Sequence, residues 1–259
     1  MSVAACADLV QKGDPDRFLS TMAAPVAARE ALFPLYAFNL EVARAPWVTA
    51  EPMIAEMRLQ WWKDALDEIA EGAAPRAHEV VQPLAEVVRR GMPVDPLLNL
   101  IEARRRDILR APFEENADLV DYLDATGGNL MWAAALAVGG AADGQSAIRA
   151  VGKAAALASW FQAVPALEAS GQRPLPNEAL DAISALAAEG LSWIADARPG
   201  IRRLPKRARP ALNSAWLAVP VLKRARKDPG AVRAGRLDLQ EVRRRWRLMR
   251  LAATGRILS

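Results

Sequence analysis

The sequence predicts an all-helical fold built as one domain over residues 1–259. Three observations carry that prediction. Alanine, leucine and arginine dominate while valine and isoleucine are sparse, a mix that favours helix. Apolar residues recur at helical spacing nearly throughout, with no strand-like alternation of useful length and no internal repeat. The linkers are short, and no Ser/Gly-rich stretch divides the chain. With 52% apolar residues the chain can bury a sizeable core.

Proline and glycine set the element boundaries. A first helix is expected over 26–44, stopped by Pro46. A second, 53–71, opens after Pro52 and ends at Gly72 to Pro75. The stretch 78–90 ends at Gly91 to Pro93, and 95–110 ends before Pro112. Next come 116–139, closed by Gly139-Gly140, and 146–168, closed by Gly171 to Pro176. The last three are 177–197 before Pro199-Gly200, 208–227 before Pro229-Gly230, and 238–253.

Two helices show their faces. In the second, Leu59, Trp62, Leu66 and Ile69 recur at core spacing, whereas Asp64, Asp67, Glu68 and Glu71 share another face. That acidic face reads as solvated, with Lys63 and Asp67 as an i,i+4 pair, ahead of a metal site. In the last helix Leu239, Val242, Trp246 and Met249 form the apolar stripe, and Arg243, Arg244, Arg247 and Arg250 cover much of the remainder. Trp61, Trp62, Trp132 and Trp160 are expected to line or support the interior.

Composition excludes several chemistries. The single cysteine, Cys6, rules out an intrachain disulfide and argues against a cysteine metal site. The single histidine, His78, beside an expected helix start, reads as a surface or capping residue. Cys-His and Ser-His-Asp mechanisms have almost nothing to build on. Residues 1–10 make a poor signal peptide. The longest apolar run, Leu130 to Ala142, falls short of the roughly 18 residues that span a bilayer. A cytoplasmic location is expected, with docking at the periphery of the inner membrane open. Charge is lopsided: residues 201–259 hold 17 of the 34 lysines and arginines against three acids, +14, leaving −10 on residues 1–200. Such a segment suits an anionic membrane surface or an acidic protein partner. No recognition motif points to nucleic acid, and none is expected as a partner.

Four stretches and the basic ending resemble the squalene/phytoene synthase family over nearly the whole chain. They are Arg29 to Phe38, the Arg-Leu-Gln-Trp-Trp-Lys-Asp run within Arg58 to Asp67, Leu119 to Leu130, and Gly171 to Pro176. The final helix with Trp246 is similar to the family's ending. The resemblance implies a single-domain helical bundle of the isoprenoid synthase type. It also implies head-to-head joining of two prenyl diphosphates, with Mg²⁺ held between two aspartate-rich motifs.

The same comparison shows both motifs emptied. After Tyr36-Ala37-Phe38 the family has Cys-Arg-x-x-Asp-Asp-x-x-Asp; this chain has Asn39 and Leu40, then Ala43, Arg44 and Trp47. The second motif, Arg-Asp-x-x-Glu-Asp, reads Gln162, Ala163, Ala166 and Leu167, with Pro165 between. Glu41 and Glu168 stand nearby, each alone and out of register. Asn129-Leu130 replaces an expected Val-Gly. A similar loss marks the family's non-catalytic branch of respiratory complex I assembly factors. The resemblance therefore implies a binding or assembly protein without catalytic residues or cofactor. A cavity contacted by Tyr36, Phe38, Asn39, Arg58, Trp62, Asn129, Trp160 and Gln162 would hold an isoprenoid or lipid, closed by Trp47 and Trp160. The alternative is an active prenyl-diphosphate transferase using Mg²⁺ through relocated acids: Asp64, Asp67 and Glu68 on one side, Glu102 or Asp107 on the other.

Overall fold

The computed structural model describes residues 2–140 and 144–254. Among them every regular element is helical: α1 (Val3–Gly13), α2 (Pro15–Met22), α3 (Val26–Arg44), α4 (Pro52–Ala70), α5 (Val81–Arg89), α6 (Asp95–Arg104), α7 (Arg106–Leu109), α8 (Asn116–Leu123), α9 (Asn129–Ala137), α10 (Gln145–Ala169), α11 (Leu180–Arg203), α12 (Ala218–Lys227), α13 (Gly230–Arg233) and α14 (Glu241–Thr254). A π-turn, Asp124–Gly128, joins α8 to α9, and a 3-10 segment, Lys206–Ala215, precedes α12. The apolar run at 130–142 contributes α9, which ends at Ala137; Ala141 and Ala142 lie outside the described residues.

α3 and α10 form the centre. α3 buries Leu32, Phe33, Leu35, Tyr36, Ala37 and Phe38, apolar on nearly every side as an enclosed helix must be. α10 packs against α11, α9 and the π-turn, while α1 lies along α3. The core face read from sequence on α4 is present: Leu59, Trp62, Leu66 and Ile69 are all buried. On its outer face Lys63 Nζ donates to Asp67 at 2.6 Å.

The structure corrects the sequence reading in three places and adds to it in a fourth. Residues before 26 form two helices. Asp14 accepts from the Arg17 N–H at 2.9 Å and Pro15 takes the first helical position, a capping signal for α2. α11 runs through Pro199-Gly200. Gly200 permits close approach there, since a Cβ would stand 2.6 Å from that of Ala147 on α10. The stretch 208–227 is divided, because 206–215 adopts 3-10 geometry around Pro210 with Asn213 bonded to the Ser20 carbonyl. The stripe on the last helix is not buried: Val242, Trp246 and Met249 are 76%, 63% and 61% exposed, and Leu251 packs inward instead.

Cys6 sits on α1 with no exposed surface, and burial pushes its thiol from 9.0 up to about 12, helped by nearby Glu79. The raised value in the folded state means a stability contribution fully present below the unfolded pKa and lost as pH rises through 9 toward 12. Native protein is therefore expected to react with Ellman's reagent at pH 8 at least tenfold more slowly than protein in urea, since the thiolate is the reacting form. Equal rates would show that α1 does not stay docked.

Candidate functional site: the emptied cavity

A cavity of about 310 Å³ opens between α3 and α10. Ala43 and Trp47 stand on the α3 side, and Trp160, Ala163 and Leu167 on the α10 side. Leu123, Leu130 and Met131 complete an apolar interior, with Gly127 and Gly152 at the closest helix approach. The volume is near the lower end for pockets holding one small molecule, about 300–1,000 Å³. Trp160 is fixed by donating Nε1–H to the Pro174 carbonyl at 2.9 Å, and its ring meets Phe113 and Tyr122 edge-on.

Four of the positions that the resemblance marks as former motif sites thus share one space: Ala43, Trp47, Ala163 and Leu167. Arg44 and Ala166 are exposed and do not line it. Of the residues expected to contact the cavity, Asn39 and Trp160 line it. Tyr36 lies deep in the core behind Arg17, whose guanidinium stands 5.1 Å over its ring; burial raises the phenol pKa above its usual range. Phe38 and Trp62 pack edge-to-face at 5.4 Å in the core. Arg58 is exposed, Asn129 binds Arg149 and the Ala125 carbonyl on another face, and Gln162 donates to Asp238 at 3.1 Å. None of Tyr36, Phe38, Arg58, Trp62, Asn129 and Gln162 lines the cavity.

Besides Asp107, the charged lining comes from arginines not singled out from sequence as site residues. Arg17, Arg104, Arg106, Arg110 and Arg173 face the cavity, against Asp107 as its one acid among the described residues. Asp107 is engaged. Arg104 donates to it at 3.1 Å and to the Tyr122 hydroxyl at 2.6 Å, and that hydroxyl donates to Asp107 at 2.9 Å. Burial opposes charge on Arg104, but Tyr122 and Asp107 outweigh it and raise its pKa; Tyr122 is raised first by burial. The usable signal was the Arg104-Arg105-Arg106 run with Arg110, whose left-handed φ of 51° ends α7 at the cavity mouth.

Mg²⁺ does not fit this lining. It demands several oxygen ligands at near-octahedral geometry, and the one carboxylate already serves Arg104 and Tyr122. Among the described residues no three His, Cys, Asp or Glu side chains come together as a metal site. Of the acids expected as replacements, Asp107 lines the cavity but is tied to Arg104 and Tyr122, whereas Asp64 accepts from Gln60, Asp67 from Lys63 and Glu68 from Arg76, and none of these three lines it. Glu102 pairs with Arg105 and Glu168 with Arg233. His78 lies just before α5, its Nδ1 accepting from the Val80 N–H at 3.2 Å with its ring against Trp61 and Trp62.

Known proteins share this architecture. A dehydrosqualene synthase crystallised with ligand superposes with a TM-score of 0.80 at 16% identity, over 97% of this chain and 95% of that one. A squalene synthase from Alicyclobacillus acidocaldarius gives 0.69 at 18%, over 87% and 93%. In sequence, the Drosophila melanogaster NADH dehydrogenase (ubiquinone) complex I, assembly factor 6 homolog is 34% identical over 184 residues, 68% of this chain and 54% of that protein. The chain spans about half the length of the curated relatives it matches. The squalene/phytoene synthase model matches residues 10–250, which include the residues that line the cavity, and the chain belongs to that family.

Proposed function

We propose that this protein is a non-catalytic member of its family, a binding or assembly protein acting on a respiratory complex. The observation that carries the reading is the convergence of Ala43, Trp47, Ala163 and Leu167 on one cavity whose one acid among the described residues is tied to Arg104 and Tyr122. A diphosphate leaving group needs its developing charge stabilised, and carboxylate-held metals have no seat there. The relatives named as complex I assembly factor 6 support the assembly role. On this reading the cavity retains a lipid or isoprenoid as a structural ligand. The exposed Val242, Trp246 and Met249, set among arginines, rest α14 on an anionic membrane. Among the described residues no helix is long and apolar enough to cross one.

Deleting the gene in its host is expected to lower assembled complex I on native gels and NADH:quinone activity in membranes, with recovery on complementation. Purified protein given farnesyl diphosphate and Mg²⁺ is expected to release no diphosphate above the uncatalysed rate. Turnover, or unchanged complex I in the deletion, would overturn the reading.

A further inference from the structure

The cavity's arginines are held in a way that leaves their charge available. Four stand over aromatic rings: Arg17 over Tyr36, Arg104 over Tyr122, Arg106 over Phe113 at 4.3 Å and Arg110 over Trp47 at 5.3 Å. A ring face orients a guanidinium and offsets part of its charge without neutralising it. Carboxylate pairing is sparse. Arg17 meets Asp14 and Arg104 meets Asp107, while Arg106, Arg110 and Arg173 form no ion pair among the described residues. Five arginines against one aspartate give the lining a formal +4. Three guanidinium nitrogens, Arg17 Nη1, Arg104 Nε and Arg106 Nε, are buried and have no hydrogen-bond acceptor among the described residues. Buried cationic donors without acceptors are costly, and an anion relieves that cost at several of them at once.

Depth orders the site. Arg110 and Arg173 are exposed at the mouth, Arg17, Arg104 and Arg106 are partly covered, and Leu123, Leu130 and Met131 lie within the same cavity. Arg–phosphate pairs are geometrically favourable because the planar fork matches phosphate oxygens. We propose that this cavity binds a single-chain amphiphile with a phosphate headgroup, gripped directly by Arg104, Arg106 and Arg110 without a metal ion, its chain in the apolar interior. The proposal rests on the non-catalytic reading and supplies the chemical class of the ligand. The cavity volume of about 310 Å³ suits one such chain.

Calorimetric titration with decyl phosphate, decanol and inorganic phosphate, each in EDTA and in Mg²⁺, tests this. Decyl phosphate is expected to bind equally well in both buffers, with decanol and inorganic phosphate each at least about tenfold weaker. R106Q and R110Q are expected to weaken decyl phosphate about tenfold each, while R106K recovers part of the loss and the distant R226Q changes nothing. Circular-dichroism melts of each variant establish that it is folded. A requirement for Mg²⁺, equal binding of decanol or inorganic phosphate, unchanged affinity in folded R106Q and R110Q, or no binding of decyl phosphate would overturn the proposal. Diphosphate release from farnesyl diphosphate, followed on the same samples, separates the two failures. Release sinks the non-catalytic reading, whereas absent binding without release sinks the phosphate site alone.

Discussion

Gly152→Leu is expected to destabilise the protein by on the order of 3 kcal/mol or more, read as a lowered urea midpoint. A Cβ at position 152 would stand 2.5 Å from the Gly127 carbonyl oxygen and 2.8 Å from Met131 Cβ. The first neighbour is backbone, so it cannot step aside as the end of a flexible side chain would. The reciprocal Cβ on Gly127 would meet Ala156 Cβ at 2.4 Å and the Gly152 oxygen at 2.9 Å. The π-turn and α10 are therefore pressed together backbone to backbone at the cavity floor. Even Gly152→Ala should lose stability although alanine favours helix by about 1 kcal/mol, because overpacking here costs about 1–3 kcal/mol. Gly230→Ala is the control: its nearest neighbour, Asp228 Oδ1, is 3.6 Å away, and no loss beyond about 0.5 kcal/mol is expected. A stable Gly152→Leu would mean that the two elements can separate.

That contact shows what could be read from sequence and what could not. The segment Leu119 to Leu130 departs from the family's small-residue pattern at Asn129-Leu130, which looked like a loss. The structure assigns the close approach to Gly127, one element earlier, with Gly152 as its partner on α10. Local periodicity captured the core face of α4 because that face is set by one helix alone. It missed α1 and α2, whose signal is the Asp14-Pro15 cap and not a long apolar stripe. It left open whether Val242, Trp246 and Met249 are covered, because a helical stripe says which residues align and not whether anything packs on them. The two stretches read as emptied motifs could be picked out at all because each is contiguous. The arginine lining was not: Arg17, the Arg104 to Arg110 group and Arg173 come from three distant stretches that only the tertiary fold brings together.

Asp107→Ala should then expose how that lining is balanced. Its side chain is 9% exposed and that of Arg104 18%, so the pair is well shielded from bulk water. Removing one partner of a buried pair typically costs about 3–5 kcal/mol because the other charge is left uncompensated. The cavity admits some solvation, which places this site near the low end, about 3 kcal/mol. Tyr122→Phe keeps the ion pair and loses only the hydroxyl that accepts from Arg104 and donates to Asp107, so about 1 kcal/mol is expected. The double variant Arg104→Met with Asp107→Ala should be more stable than Asp107→Ala alone, because the stranded charge goes with the arginine. The same variant connects stability to binding. With its carboxylate gone, Arg104 has no competing anion, so decyl phosphate should raise the melting temperature of Asp107→Ala more than that of the unaltered protein. Equal shifts in the two proteins would show that Arg104 serves the fold and takes no part in gripping the headgroup.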